Sequence, residues 1–293
     1  MPSRTPARTL PRRPSRTKRR LLAVTSLGLA GLLAGLLSGC ASANMPGTPL
    51  ATNSYAQVSG NWQFNSSSPP ASRLSSLGGS LSVNGSAVTG TLHALAASGQ
   101  CLQASAAVPV TGSIDASGRL TLSAPLSGGT LAIAGTLADD RRSLLTPTYT
   151  VIGGSCAFPA ASPVSARDTP VVTAQQFQPV TGTYTGTLTT TDGETFALSS
   201  TLTQTSQPDA DGVYHVTGSA SSPGNACVPA SLPATASTLD GGSLSTTYTD
   251  ATTGTSITGT ATTSADASTL TVSSWTINST CGSGTGSGLL TRQ

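Results

Sequence analysis

The sequence predicts an all-β protein of two tandem antiparallel β-meander modules, each a barrel-like fold of seven to eight strands. A β-sandwich is the alternative packing of the same strands. Three observations lead there. Apolar residues alternate with partners at period two, as in Leu120-Thr121-Leu122, Leu131-Ala132-Ile133-Ala134 and Val213-Tyr214-His215-Val216. Turn signals interrupt these runs about every ten residues: Asn84-Gly85, Ser117-Gly118, Gly128-Gly129, Asp192-Gly193, Asp211-Gly212, Gly241-Gly242 and Thr253-Gly254. The cysteines also repeat their spacing, with 55 positions from Cys101 to Cys156 and 54 from Cys227 to Cys281.

The chain opens differently. Eight of its 14 basic residues fall in the first 20 positions, and an apolar run from Leu21 to Gly39 follows. A basic segment, an apolar run and small residues at its end make a signal-peptide architecture over 1–39. Leu37-Ser38-Gly39-Cys40 resembles the lipobox of bacterial lipoproteins, a branched apolar residue and two small ones before Cys. The resemblance implies cleavage between Gly39 and Cys40, a diacylglyceryl thioether on Cys40 and an amide-linked acyl chain such as palmitate. Two or three acyl chains hold a protein stably on a bilayer, at ~0.8 kcal/mol per buried methylene. In that family Asp after the Cys signals inner-membrane retention; Ala41 stands here, which favours the outer membrane. Residues 40–57 read as a small, polar, Pro-containing tether.

From Cys40 onward six Arg, no Lys and eleven acidic residues remain, a formal charge of −5. Nucleic-acid binding needs clustered cations and is excluded. The membrane, reached through the lipid anchor, is the partner expected.

The repeat continues past the cysteines. Val58-Ser59-Gly60-Asn61-Trp62 matches Val180-Thr181-Gly182-Thr183-Tyr184, and Val88-Thr89-Gly90 matches Val216-Thr217-Gly218. The modules are therefore 58–168 and 180–293, with 169–179 as a linker. In the first, strands are expected near 58–64, 77–83, 86–93, 108–115, 119–125, 130–137 and 145–151, with an eighth at 156–166. Sequential hairpins close best as up-and-down barrels, which leave no strand edge. Four cysteines permit three pairings. If each copy folds alone, Cys101–Cys156 and Cys227–Cys281 are expected, and export allows both to persist. Single, widely spaced cysteines do not form a metal site.

Gly60-Asn61-Trp62 and Gly182-Thr183-Tyr184 resemble the G-x-W of lipocalins, eight-stranded ligand-binding barrels. Arg167 and Arg292 lie near the ends of the copies, where a lipocalin stacks an Arg on that aromatic. The resemblance covers three residues per copy and implies a barrel mouth open to a small apolar ligand.

Catalytic side chains are sparse. His93 and His215 occupy unequal places in the two copies, so they support no duplicated site. No G-x-S-x-G occurs, and Gly78-Gly79-Ser80 and Gly241-Gly242-Ser243 read as turns before strands. Asp139-Asp140, Asp192…Glu194 and Asp209…Asp211 sit beside turn residues, where Asp bonds its own backbone. Asp209 to Gly212 lacks the downstream Glu of a calcium loop. The expectation is an envelope lipoprotein that is not an enzyme, without cofactor or metal. It would serve as a binding or structural protein, with a small apolar ligand or a glycan as its ligand. The alternative is a carboxylate-dependent hydrolase of envelope glycans or peptides.

Overall fold

The period-two alternation becomes strand along the chain. The structure, a computed structural model, describes residues 55–66, 76–95, 107–126, 128–153 and 172–293. The first module holds β1 (Gly60–Ser66), β2 (Leu77–Asn84), β3 (Ala87–Ala94), β4 (Ala107–Ile114), β5 (Arg119–Leu126), β6 (Gly129–Leu137), β7 (Leu144–Ile152) and β8 (Val172–Phe177). They form one sheet in the order β7-β6-β5-β4-β3-β2-β1-β8. The second holds β9 (Gly182–Thr190), β10 (Thr195–Gln204), β11 (Tyr214–Ser221), β12 (Leu232–Asp240), β13 (Ser243–Asp250), β14 (Thr255–Thr263), β15 (Thr269–Ser279) and β16 (Gly282–Arg292). These close into a barrel in which β16 returns to β9. Every named pairing is antiparallel, so both modules are meanders and the packing is that of barrels. Both sheets belong to one compact unit.

The first barrel is nearly closed. β8 pairs with β1 from Asn61↔Phe177 to Ser66↔Val172. It meets β7 through the single bridge Ser143↔Gln175 and a Gln176 N–H donating to the Arg142 carbonyl at 2.7 Å. β8 lies inside the stretch 169–179 read from sequence as a linker, which corrects that boundary. The reason is visible in the strand: Ala174 and Gln176 face inward, and a buried Gln hides the apolar alternation. The strand expected at 156–166, with Cys156 and Arg167, lies outside the described residues, as do Cys40 and Cys101.

Each module starts alike. Gly60 and Gly182 have φ of +145° and +150°. A Cβ there would fall 2.8 Å from Gln176 Nε2 and 2.7 Å from Arg292 Nε, respectively. These two side chains occupy the same register, Gln176 opposite Trp62 and Arg292 opposite Tyr184. Gln176 Nε2 donates to the Gln57 and Ser59 carbonyls, both at 2.9 Å, and Arg292 Nη2 donates to the Thr181 carbonyl. The structural counterpart of Arg292 is therefore Gln176. The aromatics beside them are fully buried. Trp62 Nε1 donates to the Val58 carbonyl at 2.7 Å and the Tyr184 hydroxyl to the Ala267 carbonyl at 2.8 Å.

The hairpin turns lie at the sequence's turn signals, the first displaced by one residue. Asn84 pairs with Ala87, so the two central residues are Gly85 and Ser86, and only Gly85 takes positive φ, +65°. Asp240 likewise pairs with Ser243 around Gly241-Gly242. Gly78-Gly79-Ser80 is not a turn; it lies within β2.

Each barrel has its own core. The first packs Trp62, Phe64, Leu92, Leu120, Ile133 and Tyr149. The second packs Tyr184, Leu188, Leu202, Leu244, Ile257 and Trp275. Within the second, Ser200 Oγ and the Tyr248 hydroxyl are 2.7 Å apart and satisfy each other. A disulfide joins Cys227, between β11 and β12, to Cys281, in the β15–β16 turn, over a separation of 54 residues. A loop of that size contributes about 4 kcal/mol in the chain-entropy model. Replacing both cysteines by Ser should cost on the order of 2–5 kcal/mol. Urea unfolding followed by tryptophan fluorescence measures it, and a midpoint equal to that of the wild type would contradict the assignment.

Candidate functional site

Strand alternation decides what the first barrel presents outward. Trp62 and Phe64 point in, so Asn61 and Gln63 of β1 stand on the outer wall, beside Gly78 and Ser80 of β2 and Thr91 and His93 of β3. Turns of the second barrel pack on this wall. Asn61 Nδ2 donates to the Gly241 carbonyl at 2.6 Å, and Gly241 N–H donates to Asn61 Oδ1 at 2.8 Å. The carboxamide thus pairs with the turn peptide as a neighbouring strand would. Gly242 N–H donates to Gln63 Oε1 at 2.7 Å. A Cβ on Gly78 would lie 2.9 Å from the Gly241 nitrogen and 2.7 Å from Asp240 Oδ1, so only glycine allows the approach. Gly78-Gly79-Ser80 and Gly241-Gly242-Ser243 therefore meet each other. Gly212, between β10 and β11, approaches Thr91 as closely. Gln178 N–H, after β8, donates to the Ala265 carbonyl at 2.8 Å.

A cleft of about 600 Å³ opens beside these contacts, lined by His93, Asp209, Asp211, Thr238, Asp240 and Ser245 among others. That is within the ~300–1,000 Å³ of small-molecule sites. The closed barrel offers less: an apolar void of about 40 Å³ among Leu188, Leu202, Leu244, Ile257 and Trp275. That is no more room than a few waters would take at ~10–15 Å³ each. A second junction cleft, of about 480 Å³, is lined by Gln57, Asn61, Arg142, Gln176, Gln204 and Tyr214. Several of its amides are committed: Gln176 and Asn61 as above, and Gln204 Oε1 to the Val180 N–H at 3.1 Å.

His93 and Asp240 form the floor of the larger cleft. His93 Nδ1 is 3.5 Å from Asp240 Oδ2, and the side chains are 7% and 20% exposed. His93 Nδ1 and Asp240 Oδ1 are buried without hydrogen-bond partners among the described residues. Such orphaned polar atoms are rare in folded proteins. Burial pushes the Asp240 carboxyl up to about 6; His93 opposes this and Asp209 adds to it. Above, His215 Nε2 is 2.9 Å from Asp209 Oδ2.

Asp209 and Asp140, with Asp115 and Asp266, do what turn acids do. Asp209 Oδ1 accepts from the Asp211 and Val213 N–H groups, both at 3.0 Å. Burial works against its ionisation, yet the Val213 N–H and His215 hold the carboxyl below its usual value. Asp140 accepts from the Arg142 N–H at 2.8 Å, and its carboxyl is also lowered. Asp115 is lowered by the Ser117 hydroxyl, and Asp266 to about 2 by the Ser264 hydroxyl. Among the described residues no group of three or more His, Cys, Asp or Glu is placed to hold a metal ion. The sequence reading drew no site from His93 and did not single out Asp240, which precedes Gly241-Gly242 and so reads as another turn acid.

No known family, curated protein or solved structure matches this chain.

Asp240 sets a pH dependence. Unfolded, it ionises near 3.8; folded, near 6. Between those values the native state keeps a proton that the unfolded chain has lost, so raising pH through the window weakens folding. The lowered turn carboxylates act oppositely, but only as pH falls below their unfolded values. The melting temperature should therefore be higher at pH 5 than at pH 7. In Asp240→Asn that difference should shrink or vanish, which calorimetry at the two pH values checks.

Proposed function

We propose that this chain is a lipid-anchored, non-catalytic protein of the bacterial cell envelope, most naturally of the outer membrane. It is held by a diacylglyceryl group on Cys40 and binds a small polar ligand or glycan at the junction of its two barrels. The lipobox-like Leu37-Ser38-Gly39-Cys40 after an apolar run supports the anchor. One observation carries the binding role: the junction cleft has ligand-sized volume and a polar lining that includes Asp209, Asp211 and Asp240. The small apolar ligand implied by the lipocalin resemblance has little room in the closed barrel, whose void is about 40 Å³. A glycan at the junction fits better.

The anchor is tested by expressing the full chain in a bacterium and partitioning it in detergent. The wild type should enter the detergent phase and carry a lipid mass on Cys40, and Cys40→Ala should stay in the aqueous phase. A free Cys40 thiol in the exported wild type would refute the anchor.

The hydrolase reading draws on a separate observation. Asp209 and Asp240 line the same cleft, and burial pushes Asp240 up to about 6, suited to a general acid near neutral pH. Release of reducing ends or amines from envelope polymers by the wild type, lost in Asp240→Asn, would establish it.

A further inference from the structure

We propose that the joint between the barrels is a proton-controlled latch: with one proton held by His93 and Asp240 the barrels stay seated, and loss of that proton to solvent lets them part while each keeps its own fold. The latch belongs to the joint itself and operates whatever the cleft binds.

The two side chains come from different barrels. His93 stands on β3 of the first and Asp240 ends β12 of the second, with Nδ1 and Oδ2 3.5 Å apart. His93 Nδ1 and Asp240 Oδ1 are buried without hydrogen-bond partners among the described residues. A Cβ on Gly78 would fall 2.7 Å from Asp240 Oδ1 and 2.7 Å from Leu95 Cδ2, so that oxygen lies against the first barrel's wall. The β10–β11 connection brings Asp209 and Asp211 to the same cleft, and His215 Nε2 is 2.9 Å from Asp209 Oδ2. The other lining residues are uncharged, and no Lys or Arg is among them.

Charge then decides whether the joint closes. With one proton the pair is neutral overall, as carboxylic acid and imidazole or as carboxylate and imidazolium. Without it a buried carboxylate has no cation to pair with, a costly arrangement that parting relieves by admitting water. Burial pushes Asp240 up to about 6 in the closed joint, and Asp209 adds to this while His93 opposes it; in water the carboxyl ionises near 3.8. The proton's support for closure is complete below 3.8 and is lost as pH rises through 6. Opening should therefore grow about tenfold between pH 5 and pH 7. Parting leaves each barrel a core of its own. It breaks amide hydrogen bonds across the joint: Gly241 N–H to Asn61 Oδ1, Gly242 N–H to Gln63 Oε1 and Gln178 N–H to the Ala265 carbonyl.

Hydrogen–deuterium exchange of the full chain, corrected for the intrinsic effect of pH on exchange, tests the latch. Protection of the Gly241, Gly242 and Gln178 amides should fall about tenfold from pH 5 to pH 7. At both pH values these amides should exchange before the slowest strand amides of either barrel. Asp240→Asn, whose carboxamide cannot ionise, should abolish the pH response. Joint protection that is the same at the two pH values overturns the proposal, as does an undiminished response in Asp240→Asn. Exchange of the joint amides only together with the core strands overturns it too, because the proton is then lost in unfolding and not in parting. That last comparison is made on the wild type and depends on no variant folding.

Discussion

Return of the last strand to the first is the contact on which both modules depend. A meander exposes an unpaired edge at each end until these pair. Here β8 and β16 come back to β1 and β9, and each delivers one side chain across a glycine at the start of its partner strand. Gln176 in one copy and Arg292 in the other lie across Gly60 and Gly182 and donate to the carbonyls beside them. The chemistry differs and the task is the same: the amide or guanidinium ties the closing strand to the chain entering the barrel. Beneath it sits the large buried aromatic, Trp62 or Tyr184, whose own polar atom finds a carbonyl. Closure, glycine, lock and aromatic form one unit.

The nearly closed first barrel and the closed second solve two problems with different means. Their cores are built from Leu, Val, Ile, Ala and a few aromatics, because 4% aromatic content leaves little else. In the second barrel a disulfide across one end supplements that core. Joining the barrels is left to backbone geometry and amides. Asn61 pairs both of its side-chain polar atoms with one turn peptide, and glycine opposite glycine lets the two main chains approach. No lysine is present for ion pairing at this surface. The polar residue that the joint leaves unsatisfied, His93 against Asp240, lines the cleft where a ligand is proposed.

Much of the fold was legible because alternation is a local signal. The seven described strands expected in the first module fall within about two residues of those found. Duplication was legible because the cysteines and the G-x-aromatic starts survive in both copies, and the Cys227–Cys281 pairing follows from it. β8 was not legible: Val172-Thr173-Ala174-Gln175-Gln176-Phe177 buries a glutamine where the pattern seeks an apolar residue. The function of Gly78-Gly79-Ser80 was not legible either, since a glycine pair inside a strand makes sense only when another backbone lies against it. The site was mostly hidden for a related reason. His93 and Asp240 are 147 residues apart in sequence and meet only because one barrel's turn rests on the other's wall.

In an up-and-down barrel successive connections alternate between its two ends. In the second barrel the β10–β11, β12–β13 and β14–β15 connections face the first module. The β9–β10, β11–β12, β13–β14 and β15–β16 connections, with the disulfide among them, form the opposite rim. One rim is constrained residue by residue by its neighbour. The other answers only to its own barrel and to one covalent staple. Sequence drift and loop insertions therefore have an asymmetric licence in this protein: the far rim can be rewritten without loosening the joint.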